Sequence, residues 1–332
     1  MAVIDRRGDK WRVRVRKGNT SRSKTFMRKA DAIAWATKME ADIDAGRIGS
    51  IPNRSFGELL KRYAEEVSIT KKGARWEQLR IDLFIREYPT LCETRLPELG
   101  PEAFAAWRDE RLKSVSQLTV RREWAILMHA CNIAIKEWRW LTSNPISTVK
   151  KPDTVKARSR RPTEKETEAI LLACGYRRDD PPQTKMSRAA AAWLYAIETA
   201  MRAGEICRIR PEEVDFDKRL VHIPTSKNGH SRDVPQSREA IRLLKQVMQA
   251  TEGKETVFDL TAANLDALFR RAKDKALIED LHFHDSRREA LTRMASKLDV
   301  MTLAKVSGHR DLRILQNTYY APNMEGVASL LD

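Results

Sequence analysis

A chain of 332 residues is long enough for two or three separately cored bodies, and a single compact domain of this length would be the exception. Lys and Arg number 62 against 46 Asp and Glu, a formal net charge of +16, which favours a polyanionic partner: nucleic acid first, an acidic membrane surface second. No apolar run approaches the roughly 18 residues of a membrane span, no signal-peptide pattern is found, and Cys92, Cys131, Cys174 and Cys207 form no CxxC pair, which sets aside membrane and secreted disulfide classes in favour of a reducing cytoplasm, at the nucleoid.

The basic excess is densest in residues 1–50, with 13 basic and 6 acidic side chains. In DKWRVRVRKGNTSRSKTF, Trp11, Val13 and Val15 alternate with Arg12, Arg14 and Arg16. This period of two predicts a strand with one apolar and one basic face, turned into a hairpin at Lys17-Gly18-Asn19. A helix over 28–45 closes the module. Three arginines on one strand face are spaced to meet successive phosphates, the plain alternative being a solvated face.

Residues 53–148 read as a compact all-α domain. Ser55 is placed to cap a helix through Glu66, an apolar stripe runs from Trp76 to Tyr88, GPEAFAAWRDERL opens with a proline suited to the first helical turn, and SQLTVRREWAILMHACNIAIKEW forms a long amphipathic helix. Trp76, Trp107, Trp124 and Trp138 are expected in its core. The stretch 149–162 lacks apolar periodicity and is read as an extended basic linker, in which Lys150, Lys151, Arg158, Arg160 and Arg161 suit a phosphate backbone.

Residues 163–332 are again mostly helical, with helices expected over 163–174, 185–199, 238–250, 262–275, 286–297 and 301–306. The interruption is RLVHIPTSKNGHSRDVPQS, a hairpin with Asn-Gly at its turn. The fold class is therefore mainly α with small β elements, an α+β chain.

Several residues of this last region carry donors to anionic oxygen. Arg202 ends the apolar helix beside Gly204, where the chain can turn and a ligand approach, and its planar fork suits a phosphate, though it could equally pair with Glu205. Lys227 sits at the hairpin tip. His284 and Arg287 lie three residues apart at a helix start, and His309 follows Gly308 ten residues before Tyr319. His282 and His284 lack a third ligand at sensible spacing, so no metal and no cofactor is expected. Arginines and histidines that stabilise the non-bridging oxygens, a lysine that protonates the leaving 5′ hydroxyl and a tyrosine that attacks make a phosphodiester transesterification needing neither metal nor ATP.

In order and spacing across roughly residues 160–325, ETAMRAGEI, TSKNGHSRDVP, LHFHDSRREA and SGHRDL, followed by a tyrosine near the C-terminus, resemble the motifs of the tyrosine recombinases, or phage integrase family, with wording similar to the shufflon-type DNA invertases and prophage integrases. Residues 53–148 resemble the helical core-binding domain of such enzymes, and 1–50 their arm-binding modules. The resemblance implies that Arg202 and Arg287 clamp the scissile phosphate, that Lys227 is the general acid, and that His284 and His309 assist in phosphate binding and proton transfer, with Glu205 and Asp285 in support. Arg288 stands where the family often has histidine. Many relatives place the nucleophile nine residues after the box histidine, which here is Thr318. Tyr319, followed by proline three positions later, is preferred, with Tyr320 as the alternative. The resemblance also implies double-stranded recombination sites as substrate, a tetramer on DNA assisted by the C-terminal segment NMEGVASLLD, and DNA-bending accessory proteins. A type IB topoisomerase shares the residue set, and a non-catalytic accessory protein would lack one of its members.

Overall fold

The computed structural model describes residues 2–17, 20–44, 51–154, 158–224 and 231–320, and the chain divides into two compact units between residues 156 and 157. In the first unit, alternation writes the N-terminal sheet. Strands β1 (Ala2–Arg7), β2 (Lys10–Lys17) and β3 (Thr20–Phe26) pair antiparallel in chain order. Val13 and Val15 are fully buried in a small core with Ala32 and Ala36 of helix α1 (Lys29–Asp44), while Arg14 and Arg16 are exposed on the other face. The register sets Asp5 beside Arg12 and Ser23 beside Arg14. The expected hairpin thus gains a third strand, because Gly8 at φ 58° turns β1 into β2 at no steric cost. The turn residues Gly18 and Asn19 lie outside the described residues.

The helical body follows. Helix α2 (Phe56–Glu66) opens with a reciprocal cap in which Glu58 N donates to Ser55 Oγ at 3.1 Å and Ser55 N to Glu58 Oε2 at 2.7 Å. It is followed by α3 (Ala74–Glu87), the short α4 (Pro89–Glu93), α5 (Pro101–Leu112) and α6 (Gln117–Lys136). Phe56, Phe104, Trp107 and Trp124 fill the core, the two indoles stacked at 6.0 Å, and Arg111 is paired inside with Glu123 at 2.9 Å. Trp138 is only partly buried, and Trp76 corrects the expectation altogether. It is 40% exposed, because α3 turns Ile81 and Phe84 inward and leaves Trp76 off that stripe, under the Arg80 guanidinium at 5.7 Å.

In the second unit, α8 (Lys185–Thr199) is apolar nearly all round and forms the centre of the core. Its Trp193 stacks on Phe269 of α11 (Ala262–Lys275) at 4.5 Å and meets Phe283 edge-on. Around α8 lie α7 (Glu164–Ala173), a one-turn α9 (Ala203–Ile206), and an antiparallel sheet of β4 (Val214–Asp215), β5 (Leu220–Ile223) and β6 (Arg232–Pro235), followed by α10 (Arg238–Ala250). A separate small core of Ala290, Leu291, Leu303, Ala304 and Leu315 gathers α12 (Asp285–Ala295), α13 (Val300–Ser307) and α14 (Leu312–Tyr319). Among the described residues no helix is long and apolar enough to cross a membrane.

Candidate active site

The site grows from the end of α8. Ala200, at φ 55°, stops the helix, and Arg202 then caps α9, so the turn is made by Ala200 and not by Gly204, which lies inside α9. Arg202 reaches Glu205 twice: its backbone N–H donates to Oε2 at 2.9 Å and Nη1 to Oε1 at 3.0 Å. Arg232, the first residue of β6, donates to the same carboxylate at 3.1 and 2.8 Å. Burial pushes the Glu205 carboxyl upward, but the Arg232 hydrogen bonds and the Arg202 backbone outweigh it and hold it at about 2.

Arg287 enters from α12. Its guanidinium donates to the carbonyls of Ala200 and Ser307, the latter at 2.7 Å, so it ties the end of α8 to the end of α13. It is 3% exposed, and no carboxylate lies within ion-pair distance of it among the described residues. Burial first and the Arg202 charge second pull its pKa down to about 9. The cluster therefore sets three guanidinium groups against one carboxylate.

His309 follows Gly308, whose φ of 71° closes α13. Its Nδ1 lies 2.7 Å from Ser307 Oγ, and that hydroxyl spends its single proton on the Leu303 carbonyl at 2.6 Å. Nδ1 must then be the donor, and Nε2 keeps a lone pair that no described residue occupies. Burial, then Arg287, Arg202 and Arg232, lower the His309 pKa to about 4. His284, just ahead of α12, is lowered too, by the atoms crowding it and then by Arg287, although its outer edge is open to solvent. Both imidazoles are neutral at pH 7.

Tyr319 is the last residue of α14, half-buried, with the Arg288 guanidinium 5.7 Å from its ring centre. Burial raises its pKa, partly offset by Arg288 and Arg287. Tyr320 instead donates its hydroxyl to the Leu298 carbonyl at 2.5 Å. Thr318 is exposed. Lys227 and the C-terminal segment after residue 320 lie outside the described residues. The Arg202 charge acts on Arg287, both act on His284 and His309, and Arg287 also acts on Tyr319, so these side chains share one cluster. No group of three His, Cys, Asp or Glu side chains among the described residues is arranged to hold a metal ion.

The phage integrase family matches residues 160–325. An integrase/recombinase of Haemophilus influenzae is 44% identical over 329 residues, covering 98% of this chain and 88% of its own. The chain belongs to the phage integrase family, the tyrosine recombinases. A shufflon-specific DNA recombinase of Escherichia coli is 37% identical over 281 residues, covering 80% of this chain and 69% of its own. Lambda integrase, as a dimer bound to a core site, shares the fold with a TM-score of 0.68 at 17% identity over 95% of this chain and 94% of that one. The protein is a tyrosine-type site-specific DNA recombinase.

Within this recombinase, the arginines just before α7 are engaged. Arg158 chelates Asp285 at 2.9 and 2.8 Å and also holds Asp280, Arg160 pairs with Glu166, and Arg161 donates to Glu289 at 2.7 Å. Meeting a phosphate would require each to leave a carboxylate. Asp285 and Glu289 are one turn apart, so the segment before α7 grips the helix that carries Arg287. The exposed Lys150 ammonium lies 3.9 Å from the exposed Asp153 carboxylate. Arg232 is not legible in the sequence because its partners, Glu205 and Val306, lie far from it in the chain, and Ser307 is not because it meets Arg287 through its backbone carbonyl.

The lowered His309 pKa makes stability depend on pH. A histidine titrates near 6.5 when unfolded and here near 4, so between those values the unfolded chain binds a proton that the folded one refuses, and stability falls as pH falls. Glu205 and Glu166, held at about 2, add their loss only below the ordinary carboxylate range. Melting of the second unit is expected to drop between pH 7 and 5, less steeply in His309→Gln. An unchanged slope in that variant would rule out His309 as the source.

Proposed function

We propose that this recombinase cuts and rejoins duplex DNA through a covalent 3′-phosphotyrosine formed by Tyr319. The observation that carries the proposal is the buried charge of Arg287. A guanidinium nearly sealed from water, bonded among the described residues only to carbonyls and repelled by Arg202, is costly unless an anion completes the cluster. A phosphodiester is such an anion, and planar guanidinium groups present paired N–H donors to its non-bridging oxygens.

The steps follow from the side chains. Tyr319 Oη attacks the scissile phosphorus as its proton passes to His309 Nε2, the open lone pair. The new phosphorus–Oη bond replaces the phosphorus–O5′ bond, and Lys227 gives the leaving 5′ oxygen its proton. Arg202 and Arg287 hold the charge that develops on the non-bridging oxygens, and His284 at the mouth hydrogen-bonds a third position. Reversal of the same steps by another strand's 5′ hydroxyl reseals the backbone, so the bond energy is kept and no ATP is needed. Tyr319 is preferred over Tyr320 because the Tyr320 hydroxyl is already committed to Leu298.

The domains divide the remaining work. Residues 1–50 present Arg12, Arg14 and Arg16 to an arm site, 53–148 grip the core site, and 163–332 carry the chemistry. Lambda integrase is known as a tetramer bound to a Holliday junction and the Tn1549 transposon integrase in complex with transposon end DNA. By the same pattern this chain works as a tetramer on duplex recombination sites, helped by its C-terminal segment and by DNA-bending accessory proteins.

The test uses nicked duplexes tiled across the DNA flanking the protein's own gene. Wild type is expected to give a detergent-resistant protein–DNA adduct, mapped to a phosphotyrosine peptide and indifferent to EDTA. Loss of the adduct in chelator would defeat the metal-free chemistry, and an adduct on any other residue would defeat the assignment.

A further inference from the structure

Arg232 is a buried charge of the active site that has no part in the chemistry proposed above. Its side chain is 9% exposed. Nη1 and Nη2 take both oxygens of Glu205, and Nε donates to the Val306 carbonyl at 3.0 Å. Three directed bonds from one planar group therefore join α9 to the last turn of α13. The guanidinium also lies against Gly308, where a Cβ would stand 3.4 Å from it. Val234, two residues on in β6, is fully buried and anchors the strand from which Arg232 reaches inward.

Each end of this bridge holds a group that must meet the phosphate. Glu205 fixes Arg202 through its side chain and its backbone, and the turn after Val306 carries Ser307, Gly308 and His309. We infer that Arg232 is a positioning residue for strand cleavage, the tie that holds Glu205 and the end of α13 at one spacing so that Arg202 and His309 converge on the same phosphate. The role rests on the transesterification proposed above.

The geometry demands arginine. A lysine ammonium is a compact point charge on a flexible stem and cannot span a carboxylate and a carbonyl with a fixed fork. Without the bridge, Glu205 keeps Arg202 alone and can swing with it, and the end of α13 is free to drift from α9. Displacements of about 1 Å at reacting groups cost on the order of a hundredfold in rate. Arg232 also helps keep His309 neutral, since its charge is among those that lower the imidazole pKa.

The experiment measures single-turnover adduct formation against pH, at saturating nicked duplex from the flanking DNA that wild type cleaves, together with DNA affinity and melting temperature, for Arg232→Met and Arg232→Lys. An adduct from wild type comes first, because its absence would sink the transesterification itself and not the role of Arg232. Arg232→Met is expected to bind DNA as wild type does, to cleave about a hundredfold more slowly, and to shift the acid limb of its rate profile to higher pH. Arg232→Lys keeps the charge but loses the bridge, and should cleave at least about tenfold more slowly with the limb in place. A wild-type rate in Arg232→Met overturns the inference. So does an equal loss in both variants with neither limb moved, which would mark a purely structural arginine. If Arg232→Met does not fold, Arg232→Lys decides alone: a slowed rate with unchanged affinity and limb supports the bridge, and a wild-type rate removes it.

Discussion

Tyr319→Phe is expected to bind DNA with wild-type affinity and to form no covalent adduct, while Tyr320→Phe keeps forming one. The two side chains are adjacent but differently employed. The Tyr320 hydroxyl donates to the Leu298 carbonyl, and both rings pack against the small core of α12, α13 and α14. Removing that hydroxyl forfeits one hydrogen bond, a net loss of about 1 kcal/mol, with the ring left in place. The Tyr319 ring lies near Arg288 and within the field of Arg287, and its hydroxyl has no hydrogen bond to another described residue. Its pKa is raised, so as the proposed nucleophile it starts as a neutral phenol and needs a base. His309, neutral and with Nε2 open, fits that need. An adduct that disappears only in Tyr320→Phe would mean that the end of α14 rearranges on DNA and that the nucleophile lies one residue further on.

The periodic parts of the fold were legible and the ion pairs were not. Helices expected over 185–199, 238–250 and 262–275 appear with those bounds, because each has a polar N-cap, Thr184, Ser237 or Thr261, directly before its apolar pattern. The alternation of Trp11, Val13 and Val15 likewise gives β2, but β1 was missed even though Gly8 marks its turn. Trp76 was misplaced because an aromatic at helical spacing says nothing about which face its helix buries. Composition said least about contacts between residues 149 and 162. A run of arginines with prolines reads as a segment free to follow phosphates, yet the partners of Arg158 and Arg161, Asp285 and Glu289, lie more than a hundred residues away on one face of α12. The candidate residues Arg202, His284, Arg287 and His309 stand out through their motifs, whereas the bonds by which Arg232 and the Ser307 carbonyl tie those motifs together leave no mark in the local sequence.

Arg287→Met is expected to lower the rate of adduct formation by about a thousandfold or more, the range seen when a donor to developing phosphoryl charge is lost. Its effect on the free protein should run the other way. Truncation leaves the Ala200 and Ser307 carbonyls without their donor, a penalty of about 1–3 kcal/mol per group when nothing replaces it. Against this, the buried guanidinium is held among Arg202 and Arg232 with only the shared Glu205 to balance them, and its pKa, pulled down to about 9, means that the folded site disfavours the charge it carries at neutral pH. Methionine fills similar volume without charge, and replacement of buried ionic groups by apolar ones is often neutral or stabilising. Without DNA, Arg287→Met should therefore melt no lower than wild type. DNA should raise the melting temperature of wild type more than that of the variant, because only wild type gains an anion for its buried cation. A variant that cleaves normally would remove Arg287 from the chemistry. One that unfolds would make its bonds to Ala200 and Ser307 a structural necessity, and the buried charge would no longer argue for a phosphate.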